Sequence, residues 1–267
     1  MLFRSFMQSG WAIGYAAAVL AAGAIQPRFG WRAVFFVGIL PAFFALWVQR
    51  RVAEPAIWRE RGRVAGRKPS IFGKGIVGLT IVLTLMNTCT LFGWWGFNLW
   101  LPSYLKSSPA QGGAGLGAAA TTGFLFVMQA GMWVGYVSYG FISDRVGRKK
   151  SYVTYLLAAA VLLAIYVSIR DRTALLVLGP CVAFSATGYF SGFGAVTAEV
   201  YPTTVHATAQ GFTYNIGRLI SAAAPYLVGS LADTHGFGAA LLVCSAAFLA
   251  AAAFWIWIPE TRGRVLA

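Results

Sequence analysis

Gly140-Phe-Ile-Ser-Asp144-Arg145-Val-Gly147-Arg148-Lys149-Lys150 sets five charges between two long apolar runs. Ser107 to Ser143 on one side and Ser151 to Ile169 on the other contain no Asp, Glu, Lys or Arg. Each flank is long and apolar enough to cross a bilayer, whose hydrocarbon core needs about 20 helical residues. Dense, mostly basic charge at such a boundary marks a cytoplasmic loop, because Lys and Arg accumulate on that side. A bare stop-transfer loop needs only the basic residues, so the Asp and the two Gly ask for a further role.

Composition points the same way. The chain is 58% hydrophobic and only 10% charged, against about a quarter charged in soluble domains, and its mean hydropathy is +0.69. It reads as an integral membrane protein. A net charge of +14 would fit a nucleic-acid binder if the basic residues formed a patch, but they gather in loops on one side, so the expected partner is the lipid bilayer and not nucleic acid. Cys89, Cys181 and Cys244 lie far apart inside apolar runs, and His206 and His235 stand without acidic or Cys neighbours. No metal, disulfide or other cofactor is implied. With neither a phosphate-cradling glycine loop nor a nucleophile elbow, the chain is not expected to be an enzyme.

Eight uncharged runs reach spanning length: 10–26, 33–49, 75–105, 115–143, 151–169, 173–198, 203–232 and 237–258. The expected fold class is therefore all-α, an integral membrane protein with eight transmembrane helices. If 49–74 is cytoplasmic, alternation places fifteen basic residues on that side and five on the other. This bias puts both termini in the cytoplasm. The linker 50–74 alone holds eight basic residues and should lie against anionic lipid. Its start, Glu54-Pro55, echoes Pro259-Glu260, each following a span, which reads as an internal repeat of six spans. Six spans separate Glu54 from Glu260, yet two precede Glu54. Four amino-terminal spans are expected to be missing. Residues 1–49 would then be the last two helices of the amino-terminal repeat, 50–74 a basic linker and 75–267 the carboxyl-terminal repeat.

The loop pattern G-x-x-x-D-R-x-G-R-K-K resembles the loop motif of the major facilitator superfamily of secondary transporters. Gln8-Ser9-Gly10-Trp11, Gly30-Trp31-Arg32, Ala198-Glu199-Val200-Tyr201-Pro202 and Tyr214-Asn215-Ile216-Gly217-Arg218 resemble its metabolite:proton symporter branch, which includes sialate and monocarboxylate transporters. Pro259-Glu260-Thr261-Arg262-Gly263 is similar to the end shared with sugar porters. The resemblance implies helices 5–12 of a twelve-helix fold in a bacterial inner membrane. Its implied function is movement of a small organic anion, a carboxylate, with protons by alternating access. A sugar or polyol porter, a non-transporting truncated remnant and a membrane scaffold stay open as alternatives. A further polypeptide supplying the missing helices is an implied partner.

Such chemistry needs polar groups around a central cavity and charges at the cytoplasmic gate. At the gate the expected residues are Asp144, Arg145, Arg148 and Glu199, whose opposite charges can latch one state. Arg218, with Asn215 and Tyr214 three and four residues earlier on nearly the same helix face, is expected to receive the anion. A guanidinium at mid-membrane costs at least about 2.5–3.5 kcal/mol, and all seven acids lie in loops or near span ends. A structural Arg bonded to backbone carbonyls is the alternative. Asn87, Trp94, Trp95, Gln129 and Tyr189 are the remaining expected cavity residues, while Trp100, near an outer end, reads as part of an interfacial aromatic belt. Gly10, Gly14, Ala18 and Ala22 form one small-residue ridge and Gly131 and Gly135 another; the resemblance implies that the two helices face each other between the repeats, as a sliding contact or as static packing.

Overall fold

The computed structural model describes residues 1–52, 70–73 and 75–263. Most of the expected linker, with Glu54 and Glu60, and the terminal Arg264 lie outside the described residues. The described chain is helical, in the order α1 (Leu2–Val37), α2 (Leu40–Arg51), α3 (Val77–Lys106), α4 (Ala118–Val146), α5 (Arg148–Ser168), α6 (Arg172–Gly188), α7 (Phe190–Val200), α8 (His206–Ser221) and α9 (Ala224–Phe254). Helix satisfies every backbone N–H and C=O within one segment, which is what an apolar solvent demands.

Among the described residues six apolar stretches are long enough to span a membrane, and two of them, Leu2–Arg51 and His206–Phe254, run to 50 and 49 residues. A helix that long would extend about 75 Å, far beyond a bilayer core of about 30 Å. Both are interrupted. Gly30 (φ 76°, ψ 172°) and Gly236 (φ 81°, ψ 161°) leave the helical region, in conformations open almost only to glycine. These breaks fall between the expected runs 10–26 and 33–49 and between 203–232 and 237–258. Among the described residues the stretches of spanning length number six, and the two long ones are also interrupted between α1 and α2 and between α8 and α9.

Helix α3 packs against α8 and α9, α4 against α1 and α6, and α5 against α6 and α9. Between them lies a core rich in aromatics, including Phe97, Tyr104, Tyr139, Tyr152, Tyr166, Tyr189, Phe248 and Trp255. Within a membrane, lipid is as apolar as these side chains, so close backbone approach and interhelical hydrogen bonds must hold the helices together. Glycines supply the approach: Gly93 and Gly96 of α3 lie under Phe248 and Cys244 of α9. Trp100 supplies a bond. Its Nε1 donates to the Pro225 carbonyl at 2.7 Å and its ring lies over Gly229, so this indole joins α3 to α9. By contrast α2 buries none of its residues.

The expected contact between the two ridges is corrected. Helices α1 and α4 do meet, but with Ser5 of α1 seated on Gly140 of α4 and Thr122 of α4 seated on Gly23 of α1. Gly10 and Gly14 face open space, and Gly131 and Gly135 pack instead on the backbone of Pro180 and Phe184 in α6. Small-residue spacing marked the close approach correctly but not its partner.

Candidate functional site

At one end of the bundle the motif loop is built around Arg148. Gly147 (φ 113°, ψ 158°) turns the chain sharply from α4 into α5, so the first residue of α5 points its guanidinium back under the loop. Arg148 is 9% exposed. Its Nη1 donates to Asp144 Oδ1 at 2.5 Å and to the Ser143 carbonyl at 3.0 Å, while Nη2 and Nε reach Glu199 at 3.3 and 3.4 Å. Five-donor geometry lets one Arg hold both carboxylates, one from the loop and one from the end of α7. Thr261 Oγ1 donates to Glu199 Oε2 at 2.5 Å, and the Asp144 carboxylate faces the amino end of α1, 3.8 Å from the Met1 nitrogen. The structure thus brings Asp144, Arg148 and Glu199 together. Arg145 remains exposed, without an ion pair among the described residues.

Sequence reasoning missed Glu260 and Thr261, which follow α9 and return to this cluster. The Glu260 carboxylate accepts from the backbone N–H of Arg148 (2.8 Å) and Lys149 (3.1 Å) at the start of α5, and from Thr261 and Arg262 (both 3.0 Å). Those first N–H groups have no partner within their own helix, and the positive end of the helix dipole favours an anion. Lys149 Nζ closes the other side by donating to the Ile258 carbonyl at 3.1 Å. The only available signal was Pro259-Glu260 standing directly after a span.

Between α1 and its neighbours lie two adjoining cavities. The inner one, about 60 Å³, is lined by Gln8, Trp11, Leu91, Trp94, Trp95, Tyr136, Phe190 and Tyr214. The outer one, about 340 Å³, shares Gln8, Phe190 and Tyr214 and adds Arg4 and Gln210. Gln8 and the Tyr136 phenol lie in hydrogen-bonding reach, as do Tyr15 and Asn98. An aromatic wall with a few convergent polar groups is the usual make-up of a small-molecule site.

Of the expected cavity residues, the structure brings together Trp94, Trp95 and Tyr214. Asn87 is buried and spends its amide N–H on the Thr213 and Tyr214 carbonyls of α8, at 3.2 and 3.5 Å. Gln129 donates to the Leu125 carbonyl of its own helix, and Tyr189 is fully buried against Tyr152 and Phe190. Arg218 and Asn215 are exposed on α8, outside the walls of both cavities, and Arg218 has no ion pair among the described residues. Gln8, Trp11, Tyr136 and Phe190 were missed as site residues. Only tertiary packing shows which face of an all-apolar helix turns inward.

The sequence model of the Major Facilitator Superfamily matches residues 83–266. The chain belongs to this superfamily. It is 31% identical over 91% of its length to the cis,cis-muconate transport protein of Acinetobacter baylyi, covering 60% of that protein. It is 25% identical over 92% of its length to the sialic acid transporter NanX of Escherichia coli, covering 60% of it, and 24% identical over 99% of its length to the niacin transporter NiaP of Acinetobacter baylyi, covering 66%. The chain thus spans about three-fifths to two-thirds of the length of these relatives. They are transport proteins rather than enzymes, and with six apolar stretches of spanning length this superfamily member is an integral membrane protein.

The Glu260 anchor gives this member of the superfamily a pH-dependent brace. Burial works to raise the carboxyl's pKa, but the N–H groups of Arg148, Arg262, Thr261 and Lys149 together outweigh it and hold it below its ordinary 4.5. A group whose folded pKa is depressed contributes stability that is complete above its unfolded value and is lost as pH falls through the folded one. Wild type should therefore unfold at a higher temperature than Glu260→Gln at pH 7, and the gap should close as pH falls below about 4.5. Thermal scans of both across that range check it; a gap independent of pH would leave the carboxylate no such role.

Proposed function

We propose that the chain binds a small planar organic anion, a carboxylate, and moves it with protons across a bacterial inner membrane by alternating access, through eight crossings with both termini cytoplasmic. The observation that supports this most directly is the pair of adjoining cavities between α1 and the group α3, α4, α7 and α8, the larger of about 340 Å³ and the smaller walled by aromatic rings. Trp11, Trp94, Trp95 and Tyr136 offer flat faces, and Gln8 and Tyr214 offer hydrogen bonds at one edge. That arrangement suits a conjugated body with a polar end. Muconate and niacin, named for two relatives, are flat carboxylates.

In this reading the Arg148 cluster braces the cytoplasmic face. Helix α1, from the amino-terminal repeat, abuts the motif loop through Ser5 on Gly140. Closing and parting of this contact would expose the cavity to one side and then the other, the proton being the coupling ion. Arg218 is assigned the anion-receiving role from outside the walls of both cavities: exposed on α8 one turn beyond Tyr214, and with no ion pair among the described residues, its guanidinium is available to a carboxylate approaching them.

The test is binding of a carboxylic acid and its amide to wild type, Arg218→Lys and Arg218→Gln. Lysine keeps the charge and loses the planar fork, so carboxylate affinity should fall even when folding is intact. Losing one charge-assisted contact is worth about 1.5–3 kcal/mol, or roughly tenfold to a hundredfold in Kd. Amide binding should not change. If wild type holds acid and amide alike, or if Arg218→Gln weakens neither, the role given to Arg218 fails.

A further inference from the structure

The outer cavity has a guanidinium that none of the roles above uses. Arg4 lies one turn before Gln8 on α1, at the end where Ser5 sits against Gly140. Among the described residues it forms no ion pair and no hydrogen bond, although the Asp144 carboxylate is at the same end of the bundle. Across the cavity stands Gln210, one turn before Tyr214 on α8, whose amide makes no hydrogen bond among the described residues.

Both side chains converge on one spot. A Cβ placed on Gly194 of α7 would lie 2.7 Å from Arg4 Nη1 and 2.8 Å from Gln210 Nε2. Two donors therefore meet above the bare Cα of a glycine, where only the missing side chain lets them come this close, and both line the adjoining cavity within one anion's reach of each other. Phe190, Phe193 and Tyr214 wall it, with Phe193 and Tyr214 rings 5.9 Å apart. We infer that Arg4 and Gln210 form a separate carboxylate subsite over Gly194, an anteroom in which the anion rests beside the inner aromatic cavity.

This inference rests on the carboxylate reading of the function. The shared wall of Gln8, Phe190 and Tyr214 makes the two cavities neighbours, so an anion at Arg4 has its apolar body directed along aromatic faces. A planar guanidinium and an amide N–H present donors suited to the two oxygens of one carboxylate. An anionic lipid headgroup would recognise the same charge, but it would enter from the bilayer and leave the aromatic wall unused.

Calorimetric titration of the 267-residue chain in phosphatidylcholine nanodiscs, with benzoate and with benzamide as the neutral control, tests this. Arg4→Gln should raise the Kd for benzoate at least tenfold and leave benzamide unchanged, with Arg4→Lys between. Gly194→Ala should also weaken benzoate, because its methyl displaces both donors without removing the charge. Wild-type affinity for benzoate in Arg4→Gln overturns the inference, and loss confined to Arg218→Gln overturns it while sparing the carboxylate reading. A wild-type chain with no preference for benzoate over benzamide removes both. If phosphatidylglycerol in the nanodiscs displaces benzoate, and Arg4→Gln abolishes that competition without altering benzoate affinity in phosphatidylcholine, the subsite belongs to lipid and the inference is overturned.

Discussion

Replacing Arg148 with alanine should lower stability by about 3 kcal/mol, the largest loss expected from any single charge in the chain. One guanidinium joins Asp144 of the loop, the Ser143 carbonyl and Glu199 of α7. Without it two carboxylates face each other with no cation between them. The side chains of Arg148 and Glu199 are 11% and 16% exposed, so water compensates little there, whereas Asp144 at 39% is partly solvated and loses less. That is why the estimate sits at the lower end of the range for breaking a buried pair. For a chain of this size the unfolding temperature should drop by about 6–12 °C. Arg148→Lys should recover less than half, because a single ammonium on a flexible stem cannot span both acids and the carbonyl. Asp144→Asn should cost less than Glu199→Gln, following their exposure. Thermal scans in detergent at one scan rate compare the four variants. If Arg148→Ala unfolds within 2 °C of wild type, in the range of about half a kcal/mol, the cluster is only a surface decoration.

The charged cluster was legible in the sequence in part, and the reason is physical. Five charges between uncharged spans must lie at a membrane surface, so Asp144 and Arg148 are placed by solvation alone, and Glu199 by its position at a span end. Four residues apart on one side of a turn, Asp144 and Arg148 can scarcely avoid each other. Glu260 and Thr261 were not legible as members because they come from 112 and 113 residues beyond Arg148. Their return depends on how α9 packs along α3 and α5. The cavity fared similarly. Hydrophobic periodicity identifies an inward face only when the opposite face is polar, and here water is replaced by lipid, so α1, α3 and α4 are apolar all round. Trp94 and Trp95 stood out by type, whereas Trp11 and Phe190 could not be told from lipid-facing aromatics. Asn87 shows the converse. A lone Asn in a span signals an expensive group with a partner, but not whether that partner is a ligand or, as its bonds to Thr213 and Tyr214 show, the backbone of α8.

Gly131→Ala and Gly10→Ala should move stability in opposite directions, although both glycines belong to the same kind of four-residue ridge. Added to Gly131, a methyl would land on the Pro180 carbonyl, where α4 and α6 approach at backbone distance, and Gly135 repeats the contact one turn later on Phe184. Neither backbone can rotate away as a side chain would, so relief requires the helices to part and the contacts along both to loosen. A cost of about 3 kcal/mol, the upper end for overpacking, is expected. Valine in place of alanine should be worse. At Gly10 the added methyl meets nothing within 4 Å. There alanine only removes glycine's backbone freedom in the unfolded chain and improves helix propensity, so Gly10→Ala should be neutral or more stable by up to about 1 kcal/mol. Thermal scans of the two single variants and their double mutant decide the matter. The sites lie on different helices with no shared partner, so the two effects should add to within about 0.5 kcal/mol. Equal losses at both positions would mean that α1 carries its ridge against α4 after all, as the family resemblance implied, and that the α4–α6 contact is not the tight one.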